Sequence, residues 1–133
     1  MTYFVTGATG FIGRHLVERL LVREGDIHVL VREGSMGKLE ELISAWGPDA
    51  AIRIHPVVGD LGQPRLGLSD ETLSGLEGKI DHFFHLAAIY DITADEESNR
   101  IANVEGTRHA VEVANAVQAR CLHHVSSIAV AGL

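Results

Sequence analysis

The chain is short of several things, and each shortage narrows what it can be. It has one cysteine, Cys121, in 133 residues. No disulfide can close within it, and a reducing, cytoplasmic setting is expected. Cations are outnumbered, with 11 Lys and Arg against 18 Asp and Glu and a formal net charge of −7. Nucleic acid and anionic membrane surfaces need clustered Lys and Arg, so neither is expected as a partner, although a local basic site for one phosphate fits the balance. No apolar run approaches the roughly 20 residues that span a bilayer. The first, Tyr3-Phe4-Val5, breaks at Gly7, so no signal peptide is read. Tyrosine is limited to Tyr3 and Tyr90, and lysine to Lys38 and Lys79. Histidine is more plentiful, at eight. Its spacing is not that of a metal site: His123 and His124 are adjacent, and neighbours on a strand point to opposite faces.

What is present is an alternation of β-rich runs and helical stripes. Tyr3-Phe4-Val5-Thr6 reads as a buried strand. A helix follows with Phe11, Ile12, Leu16, Val17, Leu20 and Leu21 on one stripe, stopped by Glu24-Gly25-Asp26. Ile27 to Val31 is a second strand. Met36 to Trp46 reads as a helix with Leu39, Leu42 and Ile43 inward, ended by Gly47-Pro48. Ile52 to Val58 reads as a third strand whose Pro56 points to an edge or a bulge. Ser69-Asp70-Glu71-Thr72 fits the start of one or two helical turns. Asp81 to Leu86 is a fourth strand, about Glu97 to Ala119 a long helix, and Cys121 to Val125 a fifth strand. The stripe on the long helix is Ile101, Val104, Ala110, Val111, Ala114 and Val117. Such alternation predicts an α/β fold, a right-handed, doubly wound parallel sheet of about five strands in a single domain.

Gly7, Gly10 and Gly13 fall between the first strand and the first helix. A pyrophosphate lying on backbone N–H groups tolerates no side chains there. Glycine permits the tight turn and the close approach, and the last glycine lets helix and strand pack. The helix N-terminus adds donors and positive potential. In that strand-to-helix context the pattern predicts a Rossmann-type cradle for a nicotinamide dinucleotide, built from Gly7, Thr9, Gly10, Phe11, Ile12 and Gly13. Its first interval is one residue longer than in the common G-x-G-x-x-G.

That longer loop resembles the short-chain dehydrogenase/reductase superfamily, especially its extended branch. Four further matches follow in order. Gly59-Asp60-Leu61 is similar to the motif after strand three, which implies an Asp60 contact with the adenine amino group and Leu61 beside it. His85-Leu86-Ala87-Ala88 is similar to the motif after strand four, which implies that Leu86, Ala87 and Ala88 pass close to the cofactor. Asn103-Val104-Glu105-Gly106-Thr107 resembles the helix motif that braces the sheet. Val125-Ser126-Ser127 resembles the catalytic serine site, which implies a catalytic Ser127 with Val125 and Ser126 near the cofactor. Gly13-Arg14 and Val31-Arg32-Glu33 resemble the members that reduce acyl or thioester groups more than the sugar-nucleotide epimerases.

About twenty residues past a dinucleotide loop, an acidic residue would hold the ribose of NAD(H). Here the position is Arg32. A guanidinium clamps a 2′-phosphate through charge-assisted bonds, and Arg14 in the first helical turn could reach the same group, with Ser35 and Lys38 just downstream. NADP(H) is therefore expected over NAD(H). Glu33 would take the ribose role if the strand ran one residue further. The family's acid/base pair is a Tyr followed four residues later by a Lys. The chain holds no Tyr-x-x-x-Lys, since position 94 is alanine. Residues 1–133 are thus expected to be the cofactor-binding N-terminal part of a longer oxidoreductase, incomplete on its C-terminal side, lacking the substrate region, and prone to self-association. The expected substrate is a small carbonyl compound or an acyl or thioester group. An NAD-dependent sugar-nucleotide epimerase or dehydratase and a non-catalytic dinucleotide module are the alternatives. Of the remaining residues, His85 is expected to be a packed, hydrogen-bonded histidine, Trp46 core or rim, and Tyr90-Asp91 either loop or substrate entrance.

Overall fold

The structure, a computed structural model, describes residues 1–8, 11–86 and 96–124. Along them run β1 (Tyr3–Thr6), α1 (Phe11–Val22), β2 (Ile27–Val31), α2 (Met36–Trp46), α3 (Pro48–Arg53), β3 (Ile54–Val58), α4 (Asp70–Leu76), β4 (His82–His85), α5 (Glu96–Ala116) and β5 (Cys121–His124). The strands form one parallel sheet in the order β3-β2-β1-β4-β5. The expected doubly wound α/β architecture is therefore present. The chain winds outward from β1 to β3, then returns to the other side of β1 for β4 and β5. That reversal lies between β1 and β4, the place where such sheets bind ligands at the C-terminal ends of their strands.

Side chains alternate across the strands and make two cores. On one face Phe4, Leu30 and Phe83 meet Leu66 and Leu68, Leu73 and Leu76 of α4, Ala110, Val113 and Ala114 of α5, and Val117 just past its end. Phe4 and Phe83 are register partners whose rings stack 4.7 Å apart. On the other face Tyr3, Val5, Ile27, Val29, Val31 and Ile54 meet Val17 and Leu20 of α1, Leu39 of α2 and Ala50 of α3. Each fully buried Leu, Ile, Val or Phe contributes roughly 1.5–3 kcal/mol of apolar burial. Ser69 caps α4, its Oγ accepting from the Thr72 N–H at 3.1 Å. Pro56 does lie in an edge strand.

Three expectations need correction. Ile52 and Arg53 belong to α3, not to the third strand, and Ile52 is 74% exposed. Pro48 starts this helix with its ring already set for the first turn. Arg53 then reaches the C-terminal end of α1, donating to the carbonyls of Leu21 at 2.8 Å and Gly25 at 2.9 Å and to that of Arg23. The stripe on α5 is also rotated. Val104 and Val111 are 55% and 36% exposed, while His109 and Val113 turn inward. The inner row runs through Gly106, Ala110, Val113 and Val117, and position 104 stands roughly 200° round the helix from 106. Finally, Ile12 faces outward at 41% exposure, while Val17 and Leu20 enter the core and Leu16 and Leu21 pack against it. The side chains of Phe11 and Ile101 and the position of Val125 lie outside the described residues.

Candidate functional site

Among the described residues, Gly7 and Gly13 shape the exit from β1. Gly7 has φ +76°, a left-handed conformation open to glycine at little cost. At Gly13 an added Cβ would overlap the Gly7 carbonyl oxygen and sit 2.7 Å from Ala8 Cα. The third glycine thus permits the first turn of α1 to lie directly on the strand exit. The first turn of α1 contains no acidic residue, so no carboxylate competes for its N–H groups. The described backbone at Gly7 and Gly13 therefore has no room for side chains, the feature expected of a pyrophosphate cradle.

A buried polar network sets the adjacent strand exit. Thr6 is fully buried and His85 is 2% exposed. His85 Nδ1 lies 2.8 Å from Thr6 Oγ1, His85 Nε2 lies 3.1 Å from Thr107 Oγ1, and the Leu86 N–H donates to Thr6 Oγ1 at 3.2 Å. All these groups are satisfied when Thr6 gives its proton to Nδ1 and Nε2–H points to Thr107. Burial, reinforced by the positive charge of a protonated His124, pushes the His85 pKa down to about 4. The imidazole is thus neutral near pH 7. It ties together the exits of β1 and β4 and the inner face of α5, as a packed histidine was expected to do.

The exit of β3 is held in the same way. The Asp60 carboxylate accepts from the Gly62 N–H at 2.8 Å, and the Leu61 carbonyl accepts from His109 Nδ1 at 2.6 Å. Asp60 is exposed and Leu61 half-buried, with Leu61 lying against Gly106 of the expected bracing motif. Sequence reasoning missed His109. Its signal was a polar residue three positions past the glycine on the inner row of α5.

Arg32 is the residue immediately after β2, which ends at Val31. It is exposed, and Arg14 is half-buried on α1. Among the described residues, no hydrogen bond or ion pair engages either guanidinium. The parallel sheet gathers Gly7, Ile12, Gly13, Arg14, Arg32, Asp60, Leu61 and Leu86 along one edge, where β1, β2, β3 and β4 end. Phe11 opens α1 at the same edge. Thr9, Gly10, Ala87, Ala88, Tyr90, Asp91, Val125, Ser126 and Ser127 lie outside the described residues. No helix among the described residues is long and apolar enough to cross a membrane.

A family model described as "Male sterility protein" matches residues 5–133. The chain is 37% identical over 132 residues to a linear gramicidin synthase from Brevibacillus parabrevis, covering 93% of this chain and 3% of that protein. Among solved structures it is similar to the terminal R domain from the myxalamid PKS-NRPS biosynthetic pathway, with a TM-score of 0.81 at 39% identity over 97% of this chain and 35% of that one. It is also similar to the reductase (R) domain of a nonribosomal peptide synthetase from Mycobacterium tuberculosis, with a TM-score of 0.78 at 30% identity over 98% of this chain and 34% of that one. The chain thus spans about a third of these R-domain chains.

Proposed function

The chain belongs to the NAD-binding family described as male sterility protein, an extended type of short-chain dehydrogenase/reductase as its motifs implied, and we propose that it is the cofactor-binding part of an NADP(H)-dependent reductase of acyl, thioester or carbonyl groups. The observation that carries the reading is the cradle between β1 and α1, where Gly7 turns left-handed and a side chain at Gly13 would collide with the Gly7 carbonyl. Gly7, Thr9, Gly10, Phe11, Ile12 and Gly13 hold the pyrophosphate. Asp60 and Leu61 meet the adenine, and Leu86, Ala87, Ala88, Val125 and Ser126 line the path to the nicotinamide. The bound cofactor supplies the hydride. Ser127 hydrogen-bonds the reacting oxygen and steadies the charge that grows on it. Similarity to reductase domains of peptide synthetases supports an acyl or thioester substrate carried by a larger assembly.

The NADP(H) preference rests on Arg32 and Arg14. Strand β2 stops at Val31, which favours Arg32 over Glu33 at the ribose, and both guanidiniums are open to an anion. A charge-assisted bond to a 2′-phosphate contributes roughly 1.5–3 kcal/mol. Calorimetric titration should therefore show NADPH binding about 10- to 100-fold more tightly than NADH, with the gap lost in Arg32→Asp. Equal affinities in the unmodified chain, or an unchanged gap in the variant, would refute the assignment. The 133 residues contain no Tyr-x-x-x-Lys, so they should bind cofactor without turnover. NADPH oxidation by this chain with an aldehyde, ketone or thioester would contradict that. Exposed Val104, Val111 and Leu122 support self-association, which sedimentation at rising concentration tests.

A further inference from the structure

Three side chains with metal-ligand chemistry converge at the opposite end of the sheet from the glycine loop. His82 opens β4, Cys121 opens β5, and the two are register partners. His123 comes two residues after Cys121 and so returns to the same face. His82 Nδ1 lies 3.0 Å from His123 Nε2. The ligand atoms of His82, Cys121 and His123 all lie within 4.8 Å of one another. The ring planes are braced: Tyr3 stacks on His82 at 5.9 Å and Phe84 on His123 at 4.6 Å. Both histidines are half-buried and Cys121 is exposed, so the cluster has a scaffold on one side and an entry path on the other.

We propose that His82, Cys121 and His123 form a three-ligand site for a thiophilic divalent cation, zinc foremost, with water as the fourth ligand. Tetrahedral zinc with bonds of about 2.0–2.1 Å to nitrogen and about 2.3 Å to sulfur sets its ligands roughly 3.3 Å apart for N–N and roughly 3.6 Å for N–S. The imidazole nitrogens already stand within a few tenths of an ångström of that separation. The thiol needs a shift of about an ångström at most, at an exposed residue. Two imidazoles and a thiolate suit zinc, cobalt or copper and do not suit magnesium or calcium, which take oxygen donors. Binding replaces the thiol proton with a sulfur–metal bond and releases that proton to solvent. Both imidazoles bind as neutral donors. The ion lies on the sheet face that carries His82 and Phe84, opposite to the face that carries His85, so it clips the edge strand β5 to β4 and takes no part in hydride transfer. Spacing along the chain hides the set, because His82 stands 41 residues before His123 and joins it only across the strand pair.

Cobalt(II) is the probe. Titrated into the full chain, it should give one ion per monomer, the visible bands of four-coordinate cobalt and a near-ultraviolet thiolate-to-cobalt band, all displaced by zinc. Cys121→Ser, at an exposed position, should remove the near-ultraviolet band. His82→Gln and His123→Gln should each weaken binding by about 100-fold. Zinc should also slow alkylation of Cys121, the sole thiol, by about 10-fold or more. The proposal fails if cobalt stays six-coordinate, if the spectrum survives Cys121→Ser, or if the ion is held between two chains as a dimer of doubled mass. Should either histidine variant not fold, the Cys121→Ser spectrum and the alkylation rate still decide.

Discussion

At the C-terminal ends of β1 and β4, His85 is closed off from water and both its ring nitrogens face threonine hydroxyls. On β4 and β5, His82 at the N-terminal end of β4 and His123, level with Phe84, are half-buried and face each other beside an exposed thiol. At the N-terminal ends of β2 and β3, His55 pairs with an exposed Asp26 at 3.1 Å, and the His28 ring lies 5.0 Å from that of His55. One residue type thus serves the two ends of one sheet differently. Burial holds the His85 imidazole neutral, and its two hydroxyl partners make it a rigid tie. Imidazole, thiol and carboxylate partners surround it where it is only half-buried. The end that frames the glycine loop is the one that locks an imidazole in place by burial and two hydroxyl contacts.

The largest test of that contrast removes the geometry that the locked end supports. Gly13→Val should cost more than about 3 kcal/mol and abolish NADPH binding, because its Cβ meets backbone rather than a movable side chain. Urea unfolding and calorimetry check both, and near-normal binding would show that the cofactor does not sit at this turn. Next comes acid. With a folded pKa of about 4 against an ordinary 6.5, His85 binds its proton more readily in the unfolded chain. Its contribution is therefore full above about pH 6.5 and is lost as pH falls toward 4, a loss approaching ~3 kcal/mol. His85→Asn should flatten that part of the stability profile, and an unchanged slope would show that other groups carry it. Arg53→Ala probes the far end. It strips the α1 terminus and the turn after it of their charged donor and should cost about 2 kcal/mol in the same unfolding assay. The smallest effect belongs to Asp26→Asn. The His55 hydrogen bond lowers the Asp26 pKa, yet the pair is exposed, and the change in stability should stay below about 0.5 kcal/mol. A larger loss would mean that the N-terminal end is as tightly locked as the other.

Much of the fold was legible because it is written in local signals. The glycine turn, the Ser69 cap and the five short β-rich runs each depend on neighbouring residues. The order of motifs supplied the winding and the family. What stayed hidden depends on distant contacts. Ile52-Arg53-Ile54 has the alternation of a strand, but Arg53 is drawn into a helix whose position lets it reach α1. Val104 and Val111 are as apolar as core residues, and only the packed helix shows that they face out. At the site, single-residue motifs placed Gly7, Gly13 and Asp60 at the expected edge. The His109 tie to Leu61 and the His82–His123 contact span 48 and 41 residues, and no spacing rule could foresee either.

Pro56 carries one more consequence. The Gly59 N–H donates to the Val31 carbonyl, so alternate donors of β3, at 57 and 55, turn toward β2 and the position of Pro56 faces away from the sheet. Proline has no proton to offer there, which interrupts the row of donors on that margin. Among the described residues β5 is the other margin, and it has no proline. The two margins of the described sheet therefore differ for any strand that joins them, whatever its source: the row of donors is continuous beside β5 and broken beside β3.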